Sequence, residues 1–143
     1  MVQTLRALYT GASKDDYRMF RSVLAPDFHA FDGGVDYPGV AVLDYVKKNF
    51  QDKGYVFVWT VVNPTVHTVC NMAWITYTNI GSLADPAGKH VPLKWLESAV
   101  LQKEHGRWLI RFFDSALTPG SQERLRTFLM SPPLPATESA PHR

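Results

Sequence analysis

Residues Ser98–Leu117, SAVLQKEHGRWLIRFFDSAL, constrain the fold more than any other stretch of the chain. Two runs of strand-forming residues flank a short charged break that ends in Gly106, the pattern of a β-hairpin. The turn between them decides which side chains share a face. A two-residue turn at His105-Gly106 requires positive φ at His105, which a residue with a Cβ adopts reluctantly. A three-residue turn, Glu104-His105-Gly106, requires it only at Gly106, as a type I turn closed by a G1 bulge. The three-residue turn is therefore the expectation, with Lys103 opposite Arg107 and Leu96 opposite Asp114. One face then carries Leu96, Ser98, Val100, Trp108, Ile110, Phe112 and Asp114. The other carries Glu97, Ala99, Leu101, Leu109, Arg111 and Phe113, with Glu97 and Arg111 as a diagonal ion pair. The alternative register sets Glu97 directly opposite Asp114, where two close carboxylates would raise one pKa.

A hairpin needs a core to lie on, and the chain has the means to build one. Its 143 residues, 45% of them apolar and 13% aromatic, suffice for a single domain, expected over residues 1–130. The Pro- and Ser-rich end, residues 131–143, has little to bury and is expected to be a disordered tail. The lone Cys70 rules out an intramolecular disulfide and reads as a small buried hydrophobe. A net charge of +2, with Lys and Arg scattered along the chain, does not point to nucleic acid. No apolar run is long enough to span a membrane, and the first residues lack the apolar core of a signal peptide, so the expected location is cytoplasmic.

Read in order, Val2, Leu5, Leu8 and Tyr9 recur at helical spacing up to Gly11. Ser13 is a candidate N-cap for a second helix with the stripe Tyr17, Phe20, Val23 and Leu24, stopped by Pro26. Phe28–Asp32 is a short strand, broken at Gly33-Gly34 and resumed at Val35. Pro38 would open a third helix whose inward face is Val40, Leu43, Val46 and Phe50, closed by Gly54. From Tyr55 the period turns strand-like. YVFVWTVV is apolar on both faces and reads as a strand covered on both sides. After a break or bulge at Asn63-Pro64 come runs at Thr65–Cys70 and Ala73–Ile80, a loop from Gly81 to His90, and the terminal hairpin. A short helix after Pro119-Gly120 carries Leu125, Phe128 and Leu129 on one side. Helices followed by a meander of strands make an α+β two-layer domain.

Several stretches carry a more specific likeness: KDDYRMFRSVLAPDF, DGGVDYPG, MAWITY and ESAVLQKEHGRWLIRFFDS, together spanning most of residues 2–117. In these the chain resembles the nuclear transport factor 2-like superfamily, and within it the SnoaL-like and ketosteroid isomerase-like branch. Gly106-Arg107-Trp108-Leu109-Ile110 is the most specific element. The resemblance implies a cone: three N-terminal helices packed against a strongly curved, mostly antiparallel sheet that encloses a pocket. It also implies homodimers through the outer sheet face. Members of the superfamily include isomerases, dehydratases, cyclases and non-catalytic assembly modules, so fold alone does not settle activity.

Within that frame the nearly apolar hairpin face is expected to be concave, with Asp114 at its end. A carboxylate desolvated by aromatic neighbours holds its proton to higher pH, which suits proton transfer. Relatives often have His at the matching position. Asp114 and Asp32 are the candidate catalytic residues. For Asp32 and its neighbour Asp36 the plainer reading is turn chemistry around the glycine pair. Tyr37, Trp59, Tyr77, Ser98, Trp108 and Phe112 are the candidate pocket-lining residues, with Tyr37 a possible hydroxyl donor at the rim. The four tryptophans, Trp59, Trp74, Trp95 and Trp108, could equally fill the core or a dimer face. The histidines show no metal-ligand spacing, and there is no phosphate loop or nucleophile elbow. No metal or cofactor is expected. Two functions stay open. In one, the pocket binds a small, largely apolar molecule and performs cofactor-free acid–base chemistry of the isomerase, dehydratase or cyclase type. In the other, the domain binds a ligand or assembles with a partner and catalyses nothing.

Overall fold

The computed structural model describes residues 1–131, so nearly all of the expected tail lies outside the described residues. Helices α1 (Val2–Ser13) and α2 (Tyr17–Ser22) lead into strands β1 (Leu24–Asp32) and β2 (Val35–Pro38). Helix α3 (Ala41–Asn49) and a 3-10 turn (Gln51–Lys53) follow. Then come β3 (Val56–Val69), β4 (Met72–Ala84), β5 (His90–Glu104), β6 (Arg107–Leu117) and a last helix, α4 (Pro119–Met130). The six strands form one curved, open sheet in the order β2-β1-β6-β5-β4-β3. It is antiparallel except where β1 runs parallel to β6. This is the α+β fold the sequence implied.

Amphipathic helices dictate how the layers meet. Leu5, Leu8 and Ala12 of α1, Phe20 of α2, and Val42 and Leu43 of α3 are buried. They pack against Ile75, Ala99, Leu101, Ile110 and Phe113 of the sheet. A second cluster, Phe57, Leu83, Val91, Leu93 and Trp95, sits at the other end and is covered in part by Leu125 and Phe128 of α4. Ser121 fastens α4 to the sheet by accepting the Lys94 N–H at 2.8 Å.

Local expectations needed correction where tertiary pairing competed with them. Asp16, not Ser13, caps α2, accepting the Met19 N–H at 3.0 Å. Pro38 ends β2 instead of opening α3, because Asp36 and Tyr37 are held in ladder pairs with β1. The Thr65–Cys70 run is not a separate strand: β3 continues through a bulge between Val62 and Thr65. Nor is β3 covered on both sides. It is one of the sheet's two edge strands, and Val56 and Val58 lie exposed on its outer face.

The hairpin departs furthest from expectation. Its turn is the two-residue one: Glu104 pairs with Arg107, with φ 50° at His105 and 79° at Gly106, as a type I′ turn requires. A bulge lies further along, where Val100 pairs with Phe112 but Leu101 pairs with Ile110. Arg111 is the extra residue. The net register sets Ser98 opposite Asp114 and Glu97 opposite Ser115, which matches neither reading of the sequence. Against the expected register Asp114 has moved two residues along β5, from Leu96 to Ser98, so Glu97, Ala99, Leu101 and Phe113 still share a face, and it is this face, with Ser115, that is concave and buried. The Glu97–Arg111 pair therefore does not form. Arg111 donates instead to Asp27, and to Gln102 at 2.8 Å.

Candidate functional site

Between the helices and the concave sheet face lies a cavity of about 290 Å³. Its walls come from every layer. Leu8 and Tyr9 of α1 and Leu43 of α3 face Trp59 of β3, Trp95 of β5 and Phe113 of β6, while Leu125 of α4 closes the far side. Asp32, Val35 and Tyr37 stand where β1 turns into β2. Aromatic rings form a continuous run along this wall. Tyr37 packs on Tyr45 at 5.6 Å between centroids, and Tyr45 on Phe50 at 6.3 Å. Phe57 stacks on Trp59 at 4.9 Å, and Tyr9 and Trp95 both lean on Trp59, at 6.0 and 6.5 Å.

Two carboxylates interrupt the apolar lining. Glu97 projects from the middle of β5 and is only 7% exposed. Tyr9 donates its hydroxyl to Glu97 Oε2 at 2.5 Å, and the Tyr9 and Tyr77 hydroxyls meet at 2.9 Å. Burial pushes the Glu97 carboxyl up to about 7. The Tyr9 hydroxyl, with Asn79 and Ser115 close by, moderates that rise by favouring the charged form, while the Asp32 charge adds to it. Asn79 is fully buried beside this group, yet neither of its amide atoms reaches a hydrogen-bonding geometry. Asp32, half-buried at the cavity rim, is pushed up to about 6, chiefly by burial and then by the Asp114 charge. Burial raises the Tyr9 and Tyr77 hydroxyls well above their usual range, so both stay protonated donors. A carboxyl poised near neutrality and hydrogen-bonded to a tyrosine is equipped to move a proton or to hold a polar group of a ligand.

Of the residues singled out from sequence, Asp32, Tyr37 and Trp59 line the cavity. Tyr77 stands behind it, bonded to Tyr9. Asp114 does not reach the cavity. The bulge at Arg111 turns it to the outer face, where it borders a shallow groove with Ser98. Phe112 is on that outer face too, packed between His29 and Phe31 at 4.9 Å from each. Trp108, near the hairpin turn, packs against the main core rather than the cavity. Asp36 is engaged by His29 Nδ1 at 2.9 Å. The sequence alone does not single out Tyr9, offers Trp95 only as one of four tryptophans that could line a ligand site, and joins Glu97 to Asp114 only in the alternative register. The signal was present in β5: Val91, Leu93, Trp95, Ala99 and Leu101 alternate in one phase, and Glu97 falls in that phase. Among the described residues no group of three or more His, Cys, Asp or Glu side chains is placed to hold a metal ion, and no helix is long and apolar enough to cross a membrane.

Residues 1–119 match the family model of the calcium/calmodulin dependent protein kinase II association domain. The fold is similar to the CaMKII hub of S. rosetta, with 17% identity, 82% of this chain and 93% of that one covered, and a TM-score of 0.67. It is similar to the association domain of C. elegans CaMKII, with 21% identity, coverage of 80% and 91%, and a TM-score of 0.67. It is also similar to a putative dehydratase of the NTF2-like family from Streptomyces avermitilis, with 13% identity, coverage of 81% and 92%, and a TM-score of 0.69. No curated protein matches.

Proposed function

The chain belongs to the calcium/calmodulin dependent protein kinase II association domain family, within the nuclear transport factor 2-like superfamily, and we propose that it is a self-associating domain whose outer sheet face pairs with a second copy of itself. The outer face carries this reading. Leu96 is 58% exposed, Ile80 50% and Trp74 47%, and Val58 and Met72 join them on the same side of β3, β4 and β5. Aliphatic and indole side chains exposed together across adjoining strands gain most from a partner that covers them. A two-fold pairing brings the same patch to both sides, so one surface suffices. The names of similar structures, hub and association domain, support a second copy as the occupant. Light scattering coupled to size exclusion tests this on the full chain. A mass at least twice 16.1 kDa is expected, and the double variant Leu96→Glu with Ile80→Glu should run as a folded monomer. A wild-type protein that stays at 16.1 kDa at high concentration would sink the reading.

A second reading is favoured by the buried Glu97 beside Tyr9: the cavity holds a small, largely apolar molecule and performs acid–base chemistry on it. Asp32 keeps the role expected of it, and Glu97 takes the one expected of Asp114. Both carboxyls lie in the cavity lining, near enough to neutrality to exchange a proton at physiological pH. The Tyr9 hydroxyl would hold Glu97 in place through each change of charge. Soaking crystals or titrating NMR samples with small aromatic compounds would test occupancy. Chemical shifts that move outside the cavity and not within it would remove this reading.

A further inference from the structure

Two carboxylates, Glu97 and Asp32, line the cavity. Among the described residues no Lys, Arg or His lines it. The influences on Glu97 and Asp32 include no cation: burial and neighbouring negative charge act on one side, hydrogen-bond donors on the other. Around them stand the rings of Trp59, Trp95, Phe57 and Tyr45, and an aromatic ring carries partial negative charge on its faces. We propose that the cavity is a site for an organic cation, an ammonium or quaternary ammonium group on a small aromatic or aliphatic body, with Glu97 and Asp32 as counter-charges and the Trp59–Trp95 wall as the cation-binding face.

The inference rests on the reading that the cavity holds a small molecule, and names its charge. A buried carboxylate without a cationic partner carries a desolvation cost that an incoming cation would relieve. An anionic ligand would meet two like charges and no basic group. A neutral one would bury its apolar body equally well but leave Glu97 uncompensated. Ring faces attract cations within about 6 Å of their centroids, most strongly for tryptophan. The tyrosines complete the selection: Tyr9 already spends its hydroxyl proton on Glu97, so it has little to give to an acceptor on the ligand.

Three probes of nearly one shape test this by calorimetric titration of the full chain at pH 8: phenethylamine, 2-phenylethanol and phenylacetate, with benzyltrimethylammonium as a permanently charged check. The two cations should bind about tenfold or more tighter than the alcohol, a difference of roughly 1.4 kcal/mol, with phenylacetate weakest. Glu97→Gln keeps the size and an acceptor for Tyr9, and it should shrink the ratio of amine to alcohol affinity to about threefold or less. Asp32→Asn, at the rim, should reduce the preference in the same direction, and it keeps the test alive if the Glu97 variant misfolds. Equal binding of amine and alcohol, or tighter binding of phenylacetate, overturns the inference while leaving a ligand cavity standing. Undiminished cation preference in both variants also overturns it. Failure of all four compounds to bind overturns the ligand reading and the inference together.

Discussion

Tyr9 and Glu97 are 88 positions apart in sequence, yet the hydroxyl of one donates to the carboxylate of the other at 2.5 Å inside the fold. The bond joins the first helix to the middle of β5 and fixes the orientation of the most deeply buried acid in the cavity wall. Charged acceptors form the stronger hydrogen bonds, and a buried carboxylate loses most when its donor is removed.

Tyr9→Phe should therefore destabilise the protein by about 1–3 kcal/mol at pH 8, where Glu97 is mostly charged, and by less at pH 5. Without the donor, the Glu97 titration should move further up from about 7. Chemical denaturation at the two pH values, with NMR titration of the Glu97 side-chain carbon, measures both. An unmoved midpoint would mean that the hydroxyl does not favour the carboxylate.

The pH dependence of stability follows from the same group. Glu97 titrates at about 7 in the folded chain against an ordinary 4.5. Between those values the unfolded chain has released the proton and the folded chain still holds it, so stability falls as pH rises through the window and levels off above it. Asp32, raised from 3.8 to about 6, acts in the same direction. Glu97→Gln should flatten the decline and stabilise the protein at pH 8 by up to roughly 3 kcal/mol. Urea midpoints at pH 4.5 and pH 8 for wild type and variant give the comparison. An equally steep decline in both would assign it elsewhere.

Gly81 sits in β4 opposite Trp59, with no room for a side chain. A Cβ there would stand 1.7 Å from the Val58 carbonyl oxygen. Gly81→Ala must push β3 away from β4 at that rung, and Trp59 with it. The expected cost is about 3 kcal/mol or more, read as a fall in melting temperature. A melting temperature within a degree or two of wild type would show that the edge strand yields more easily than its ladder implies.

His105 supplies the opposite case. It adopts φ 50° in the hairpin turn, a conformation that asparagine accepts more readily. His105→Asn should stabilise the protein by roughly 0.5–1 kcal/mol, seen as a higher thermal midpoint with the register intact. A lower midpoint would mean that the imidazole contributes something the turn geometry does not reveal.

That turn also marks where local reading stopped working. Positive φ at His105 is locally costly, and local chemistry alone favours placing it at Gly106. In the fold the long β5–β6 ladder outweighs a local strain of about 1–2 kcal/mol. The Arg111 bulge, which has no glycine or proline to announce it, then sets the register beyond it. Asp114 keeps its expected company of Ser98, Val100 and Phe112, but that face is the outer one; only Trp108 and Ile110, before the bulge, turn inward. The β5 alternation around Glu97 was the better guide, because the side-chain period of a strand survives whatever the turn does.

By itself the sequence determined the kinds of element, their order and their apolar faces: the helical stripes of α1 to α3, the strand period from Tyr55 onward, and the hairpin closed at Gly106. These follow from contacts between near neighbours. Only the tertiary structure decided which carboxylate enters the cavity, that β3 is an exposed edge, and that Tyr9 meets Glu97. Register depends on the sum of pairing along whole strands, and a shift of one residue turns every side chain to the other face.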